Sequence, residues 1–247
     1  MKDIYKLQKE FKIPVYDTGI DNKLNLVSLF NYFQDIASDH AEILGFGRAD
    51  LMKHNHFWAL SRMYAEISVF PVWGDSIIVT TYPNGVDKLF ALRNYDVKFH
   101  DGRHIASVTS SWLILDYSTR RIQKPEAALS HFNLNPEAQE PKIRYAEKLE
   151  FTGNKTVNSN PFKVKISDLD TNFHTNNVKY LQWVIDSYEL DFVKQNTIHS
   201  VETNYLAESF YNDEVFLQTC ADNNNFFNHS VIRTDGKELC RMRLSWK

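Results

Sequence analysis

The second half of this 247-residue chain repeats the first, and no other property of the sequence confines the fold as tightly. The stretch WGDSIIVTT (73–81) lies over YNDEVFLQT (211–219), with Asp75 on Asp213, Ile77 on Val215 and Val79 on Leu217. HDGRHIASVTSSW (100–112) lies over TDGKELCRMRLSW (234–246), Asp-Gly on Asp-Gly and Ser-Trp on Ser-Trp. NYFQ (31–34) lies over KYLQ (179–182). Three matches in one order describe a duplicated unit.

Each copy reads alike. Leu26, Leu29, Phe30, Phe33, Ile36, Ala37, His40, Ile43 and Leu44 recur at helical steps. Asp101-Gly102 and Asp235-Gly236 are hairpin signals between alternating runs. After the second, Cys240, Met242, Leu244 and Trp246 alternate with Arg241, Arg243 and Ser245, one face apolar and one wet. A long helix followed by antiparallel strands predicts an α+β unit in which a sheet wraps a helix, present twice. The boundaries expected are 1–125 and 161–247, joined by a connecting segment, 126–160, that carries neither period.

Composition excludes several classes. A net charge of −3 argues against bulk electrostatic binding of nucleic acid. No segment approaches the apolar length of a membrane span and the N-terminal residues lack a signal-like apolar run, so a soluble, cytoplasmic protein is expected. Cys220 and Cys240 make no metal-ligand spacing and read as reduced core thiols, a bridge between them staying open. The sequons at Asn154 and Asn228 are without consequence in that setting. His54 and His56 read as a solvated turn.

The halves differ where chemistry would sit. In DLDTNFHTNN (168–177), Asp170, Asn172 and His174 occupy alternate positions, so an extended segment would turn all three to one side. On the NYFQ/KYLQ alignment they fall on Asn22, Leu24 and Leu26. A helix cap, from Thr175 or Asn176, needs one such residue and not three with an imidazole. Glu208, in NYLAESFYND, stands where the first copy is apolar near Val69 and Phe70, and Ser209 follows it. A carboxylate to activate water and an imidazole to hand on a proton are what hydrolysis requires, and free N–H groups at the helix start, 176–178, suit an oxyanion. No further ligand joins them into a metal site.

The chain resembles the acyl-ACP thioesterases of plants and bacteria. The likeness runs through FKIPVYDTG, NYFQDIASDHAEILGFG, FWALSRM, FPVWGD and TSSWLILDYSTRRIQKP, then DLDTNFHTNNVKYLQWVID and NYLAESFYNDEV. It implies a tandem hot-dog fold, each hot-dog a long helix wrapped by an antiparallel sheet, and hydrolysis of fatty acyl-[acyl carrier protein] without metal or organic cofactor. It assigns catalysis to the C-terminal hot-dog, with Asp170, Asn172, His174 and Glu208 matching the catalytic set, and acyl-chain binding largely to the N-terminal one. Where the plant enzymes carry a cysteine after the glutamate this chain has Ser209, which favours direct attack by water; Ser209 and Asn176 are auxiliary candidates.

Phe33, Ile36, Ala37, Leu44, Met52, Phe57 and Trp58 are candidates to line an acyl tunnel, individually better read as plain core. Arg48, Lys53, Arg120, Arg121 and Lys124 are candidates to dock acidic carrier protein. An acyl-CoA thioesterase on the same fold and a non-catalytic acyl-carrier-binding module are the alternatives, and a homodimer is left open.

Overall fold

The apolar stripe that begins at Leu26 forms helix α1, Leu26–Ile43, in the computed structural model, which describes residues 4–128, 141–151, 156–223 and 225–247. Asn25 caps it, its side-chain oxygen accepting from the Ser28 N–H at 2.8 Å. Leu29, Phe30, Phe33, Ile36, Ala37 and His40 are buried along one face, whereas Ile43, in the last turn, is turned out to solvent.

The chain divides into two compact units, Met1–Tyr145 and Ala146–Lys247. In the N-terminal unit α1 and the short α2 (Arg48–Met52) accompany strands β1 (Leu7–Lys12), β2 (His56–Ile67), β3 (Ser76–Asp87), β4 (Phe90–Phe99), β5 (His104–Asp116) and β6 (Ile122–Gln123), then α3 (Pro125–Ala128). Every pairing is antiparallel, in the order β1-β3-β4-β5-β2 with β6 beside β5. Ile77 and Val79 of β3, Tyr95 and Val97 of β4, and Ala106 and Val108 of β5 are all buried, and the Phe33 ring of α1 lies 5.2 Å from that of Tyr95.

The C-terminal unit has β7 (Thr156–Asn158), β8 (Phe162–Lys163), α4 (Asn177–Ile185), α5 (Leu190–Gln195), β9 (Ile198–Tyr205), β10 (Glu214–Asn223), β11 (Phe226–Arg233) and β12 (Glu238–Trp246). Its order is β9-β12-β11-β10, with β7 and β8 both along the far side of β10. This is the first unit's order again. Both Asp-Gly hairpins form as expected: Gly102 and Gly236 take positive φ (87° and 89°), and Asp101 and Asp235 accept from the N–H two residues on.

Two features differ from the sequence pattern. The second helix is half as long as the first: α4 stops at Ile185, where the Ser187 hydroxyl donates to the Val184 carbonyl at 2.7 Å, a side-chain bond that competes with the helical ladder. The repeat register also shifts. Short 3₁₀ turns, Val15–Asp17 and Ile166–Asp168, precede the helices, and the Asn25 and Asn176 N–H groups donate to the Asp17 and Asp168 carbonyls. Asn176 therefore matches Asn25, three residues from the NYFQ/KYLQ pairing. Three residues are nearly one helical turn, so an apolar stripe survives the slip and the pattern alone does not resolve it.

Of the expected connection, 129–140 and 152–155 lie outside the described residues, Asn154 among them, and β7 falls within its span. The part at 141–151 is tied down. The Tyr145 hydroxyl donates to Asn94 at 2.7 Å and accepts from Asn84 at 2.8 Å. The buried side chains of Glu202 and Asn204 accept from the N–H groups of Glu147 and Leu149. Cys220 and Cys240 are buried free thiols, and Asn228 is buried in β11, accepting from the Arg243 Nε.

Candidate functional site

The segment holding Asp170, Asn172 and His174 is not extended. It is a tight turn: Leu169 bridges Thr175, the Asp170 N–H donates to the His174 carbonyl at 2.8 Å, and Phe173 at its tip has φ 62°. The Asp170 carboxylate holds it shut, one oxygen accepting from the N–H groups of Asn172 (2.8 Å) and His174 (3.2 Å). Aspartate side chains favour such local bonds over an extended backbone, which is why alternate positions fail to share a face here.

The turn presents His174 to the connection between β9 and β10, which carries Glu208. His174 bridges Phe210 through the backbone, the Thr175 N–H donates to the Ser209 carbonyl at 2.9 Å, and the imidazole stands edge-on to the Phe210 ring at 5.1 Å. These contacts bring His174 Nδ1 to 3.3 Å from Glu208 Oε1, with 19% and 38% of the two side chains exposed. The pair is thus half-shielded and open to a substrate. Asn172 is exposed, and its side chain has no hydrogen-bond partner among the described residues.

Ser209 faces the other way. It is fully buried, and its hydroxyl lies 2.7 Å from Thr175 Oγ1 and 2.8 Å from the Tyr180 hydroxyl. Burial holds the Tyr180 phenol well above its ordinary range, so it stays protonated as a partner for Ser209. Successive residues of the connection between β9 and β10 face different ways here: Glu208 reaches the imidazole while Ser209 sits in a hydroxyl cluster. The sequence reads Thr175 only as a possible cap, and the buried hydroxyl cluster it forms with Tyr180 and Ser209 has no spacing of its own in the chain.

The helix start offers less than expected. The Asn176 N–H is taken by the Asp168 carbonyl, and the Val178 N–H by the Asn176 side chain at 3.2 Å, so Asn176 is a cap. Only the Asn177 amide of the three is without a described partner. In the corrected register Asp170, Asn172 and His174 fall on Gly19, Asp21 and Lys23, and Glu208 on Phe70, so the histidine–carboxylate pair still belongs to one copy. Among the described residues no three His, Cys, Asp or Glu side chains are grouped to hold a metal ion.

The chain-lining candidates separate. Phe33, Ile36, Ala37 and Leu44 lie in the interior of the N-terminal unit. Trp58 packs there against Leu44, Phe46 and Ile114, its Nε1–H donating to the Phe46 carbonyl at 2.9 Å. Phe57, the next residue on β2, lies instead against Tyr117 and under the Arg120 guanidinium, and Met52 is 42% exposed. The basic candidates Arg48, Lys53, Arg120, Arg121 and Lys124 are all exposed, Lys53 pairing with Asp50 at 2.8 Å.

Residues 4–129 match the model of the acyl-ACP thioesterase N-terminal domain, and residues 152–247 that of the acyl-ACP thioesterase C-terminal domain. The chain belongs to the acyl-ACP thioesterase family. The histidine–glutamate pair of this thioesterase relative lies in its C-terminal family domain. Over its full length it is 26% identical to the chloroplastic acyl-[acyl-carrier-protein] hydrolase FATB3 of Cuphea viscosissima and 28% identical to the chloroplastic palmitoyl-acyl carrier protein thioesterase of Gossypium hirsutum. It spans 64% and 65% of those two proteins. An acyl-ACP thioesterase structure from Bacteroides thetaiotaomicron superposes with TM-score 0.90 at 25% identity, covering 98% of each chain. The 12:0-ACP thioesterase of Umbellularia californica superposes at 0.82 and 22% identity, covering 98% of this chain and 97% of its own, a likeness of fold. Two hot-dog units in tandem are therefore its architecture.

Proposed function

We propose that the protein hydrolyses the thioester of fatty acyl-[acyl carrier protein], releasing a free fatty acid and holo carrier protein. The observation that carries this reading is the His174–Glu208 pair at 3.3 Å, half open to solvent, in the family's C-terminal domain. Glu208, oriented by the imidazole, holds and deprotonates a water that attacks the thioester carbonyl. The exposed Asn172 amide and the uncommitted Asn177 N–H are donors for the oxyanion. Asp170 acts on geometry alone, since its carboxylate is committed to the turn that carries Asn172 and His174. The tetrahedral intermediate collapses with loss of the pantetheine thiolate, which takes up a proton handed on by His174. Ser209, buried against Thr175 and Tyr180, has no part in bond making.

Carrier protein as the acyl donor follows from family membership and the exposed basic side chains Arg48, Arg120, Arg121 and Lys124. A compartment without membrane insertion fits the chain, since among the described residues no helix is long and apolar enough to cross a bilayer. The test is free-thiol release from a ladder of acyl carrier protein thioesters, with the matching CoA thioesters alongside. Faster cleavage of the carrier-protein thioesters is expected, and the ladder gives the chain length. Faster cleavage of the CoA thioesters moves the protein to the acyl-CoA class, and silence on both refutes hydrolysis.

A further inference from the structure

The interior of the N-terminal unit holds an arginine with no carboxylate partner among the described residues. Arg93 of β4 is 6% exposed and lies beneath the last turns of α1. Its Nη1 donates to His40 Nδ1 at 3.1 Å and to Thr81 Oγ1 at 3.2 Å. His40 receives that bond as a neutral acceptor, because its Nε2–H is turned to the Ile4 carbonyl at 2.9 Å. Thr81 is likewise an acceptor, its own proton going to the Asn94 carbonyl at 3.0 Å. Among the described residues no carboxylate pairs with Arg93, and burial works against its charge. A buried cation without a counter-ion is a costly element that proteins keep for a reason.

The duplication supplies an internal control. Thr81 faces Tyr95 across β3 and β4 as Thr219 faces His229 across β10 and β11, and two residues along, Arg93 corresponds to Phe227. In the C-terminal unit this space is closed by rings. Phe227 stands against Tyr188 at 5.4 Å and Phe192 at 5.5 Å, Trp246 against Phe192 at 5.1 Å, and both nitrogens of His229 are satisfied, by Tyr188 and Thr219. The same fold thus has a fully satisfied apolar solution at this position. The N-terminal unit has a guanidinium there instead.

One edge of the guanidinium has no described partner. Nη1 is occupied, while Nε–H and Nη2–H, the parallel pair that grips a carboxylate in two-point fashion, donate to no described residue. Phe33, Ile36 and Ala37 of α1, with Tyr95, supply apolar walls alongside. We propose that the interior of the N-terminal unit is a binding site for a carboxylate on an apolar chain, with Arg93 taking the carboxylate through Nε and Nη2. Two sources share that chemistry: the head of a free fatty acid, and the far end of an acyl chain carboxylated at both ends.

The site is tested by titrating the intact protein with dodecanoic acid, its methyl ester and dodecanedioic acid, read by calorimetry and by thermal shift. This measures binding without turnover, so failure of the hydrolytic reading leaves it standing. The acid is expected to bind at least about tenfold more tightly than the ester, as two charge-assisted hydrogen bonds imply. Arg93→Met should abolish the preference, and Arg93→Lys, which keeps the charge but loses the fork, should retain only part of it. The thermal scan without ligand shows whether each variant is folded, and the lysine variant carries the test should the methionine variant not fold. To separate the sources, the carrier-protein thioester of dodecanedioic acid is compared with that of dodecanoic acid. Arg93-dependent preference for the former assigns the site to a distal carboxylate, and preference confined to the free acid assigns it to the head group. Equal affinity for acid and ester, or a preference that survives in Arg93→Met, overturns the proposal.

Discussion

His229 should make the C-terminal unit sensitive to mild acid. It is 1% exposed on β11, with Tyr188 hydroxyl 2.7 Å from Nε2 and Thr219 Oγ1 2.9 Å from Nδ1. Burial pushes its pKa down from 6.5 to about 3, so the folded chain keeps the imidazole neutral where the unfolded chain would protonate it. The unfolded state then binds the extra proton between about pH 6.5 and 3. Stability from this residue is complete above pH 6.5 and falls by about 1.4 kcal/mol for each unit below it, roughly 2 kcal/mol by pH 5. Asp186, whose carboxyl burial raises, contributes with the opposite sign, so the comparison is with His229→Gln, which shares it. Urea unfolding of both proteins at pH 8, 6 and 5 should show the native chain losing about 2 kcal/mol more than the variant. Parallel losses, or an imidazole in the folded protein that titrates above pH 5 by NMR, would refute the reasoning.

Other consequences follow from the site. Glu208→Gln keeps the side-chain volume and removes the base, so thioester hydrolysis should fall about 10²–10⁴-fold while the unfolding midpoint stays within its error. Ser209→Ala should keep hydrolysis within about tenfold of the native rate but lose about 1–3 kcal/mol in denaturant unfolding, because Thr175 and Tyr180 each lose a buried hydrogen-bond partner. An inactive but folded Ser209→Ala protein would make the serine a nucleophile after all. Asp170→Ala frees the turn, and kcat for thioester cleavage should drop more than KM rises. Asn176→Ala removes the cap of α4 and should cost about 1 kcal/mol in the same unfolding assay.

Much of this was legible in the residues because each signal acted over a short span. Asp-Gly between alternating runs fixes a hairpin by backbone geometry alone, and α1 announces itself through a stripe that must be buried. The set at 170–174 stood out against a pairing three residues off; in the register of the fold the other copy has Gly19, Asp21 and Lys23, and what it lacks is the imidazole and its carboxylate. The shape of the set was not legible, since an aspartate that folds back on two amides leaves the same spacing as an extended strand. The pairing of His174 with Glu208 spans two elements far apart in sequence, so the residues suggested the partnership by chemistry and by their absence from the other copy, without its geometry. Arg93 was missed for a different reason: in FALRNYDV it alternates with Ala91, Tyr95 and Val97 and so shares their inward face, but an arginine there leaves no sequence sign of what α1 sets against it.

Both cysteines of the chain, Cys220 on β10 and Cys240 on β12, lie in the C-terminal unit, each at 1% exposure or less, and neither belongs to the candidate site. Burial pushes the Cys240 thiol well above its ordinary range, so it resists alkylation in the folded state on acidity as well as access. The rate at which a maleimide consumes thiol in the native protein therefore clocks openings of the C-terminal unit alone, without an introduced label, and leaves Glu208 and His174 unmodified while it does so.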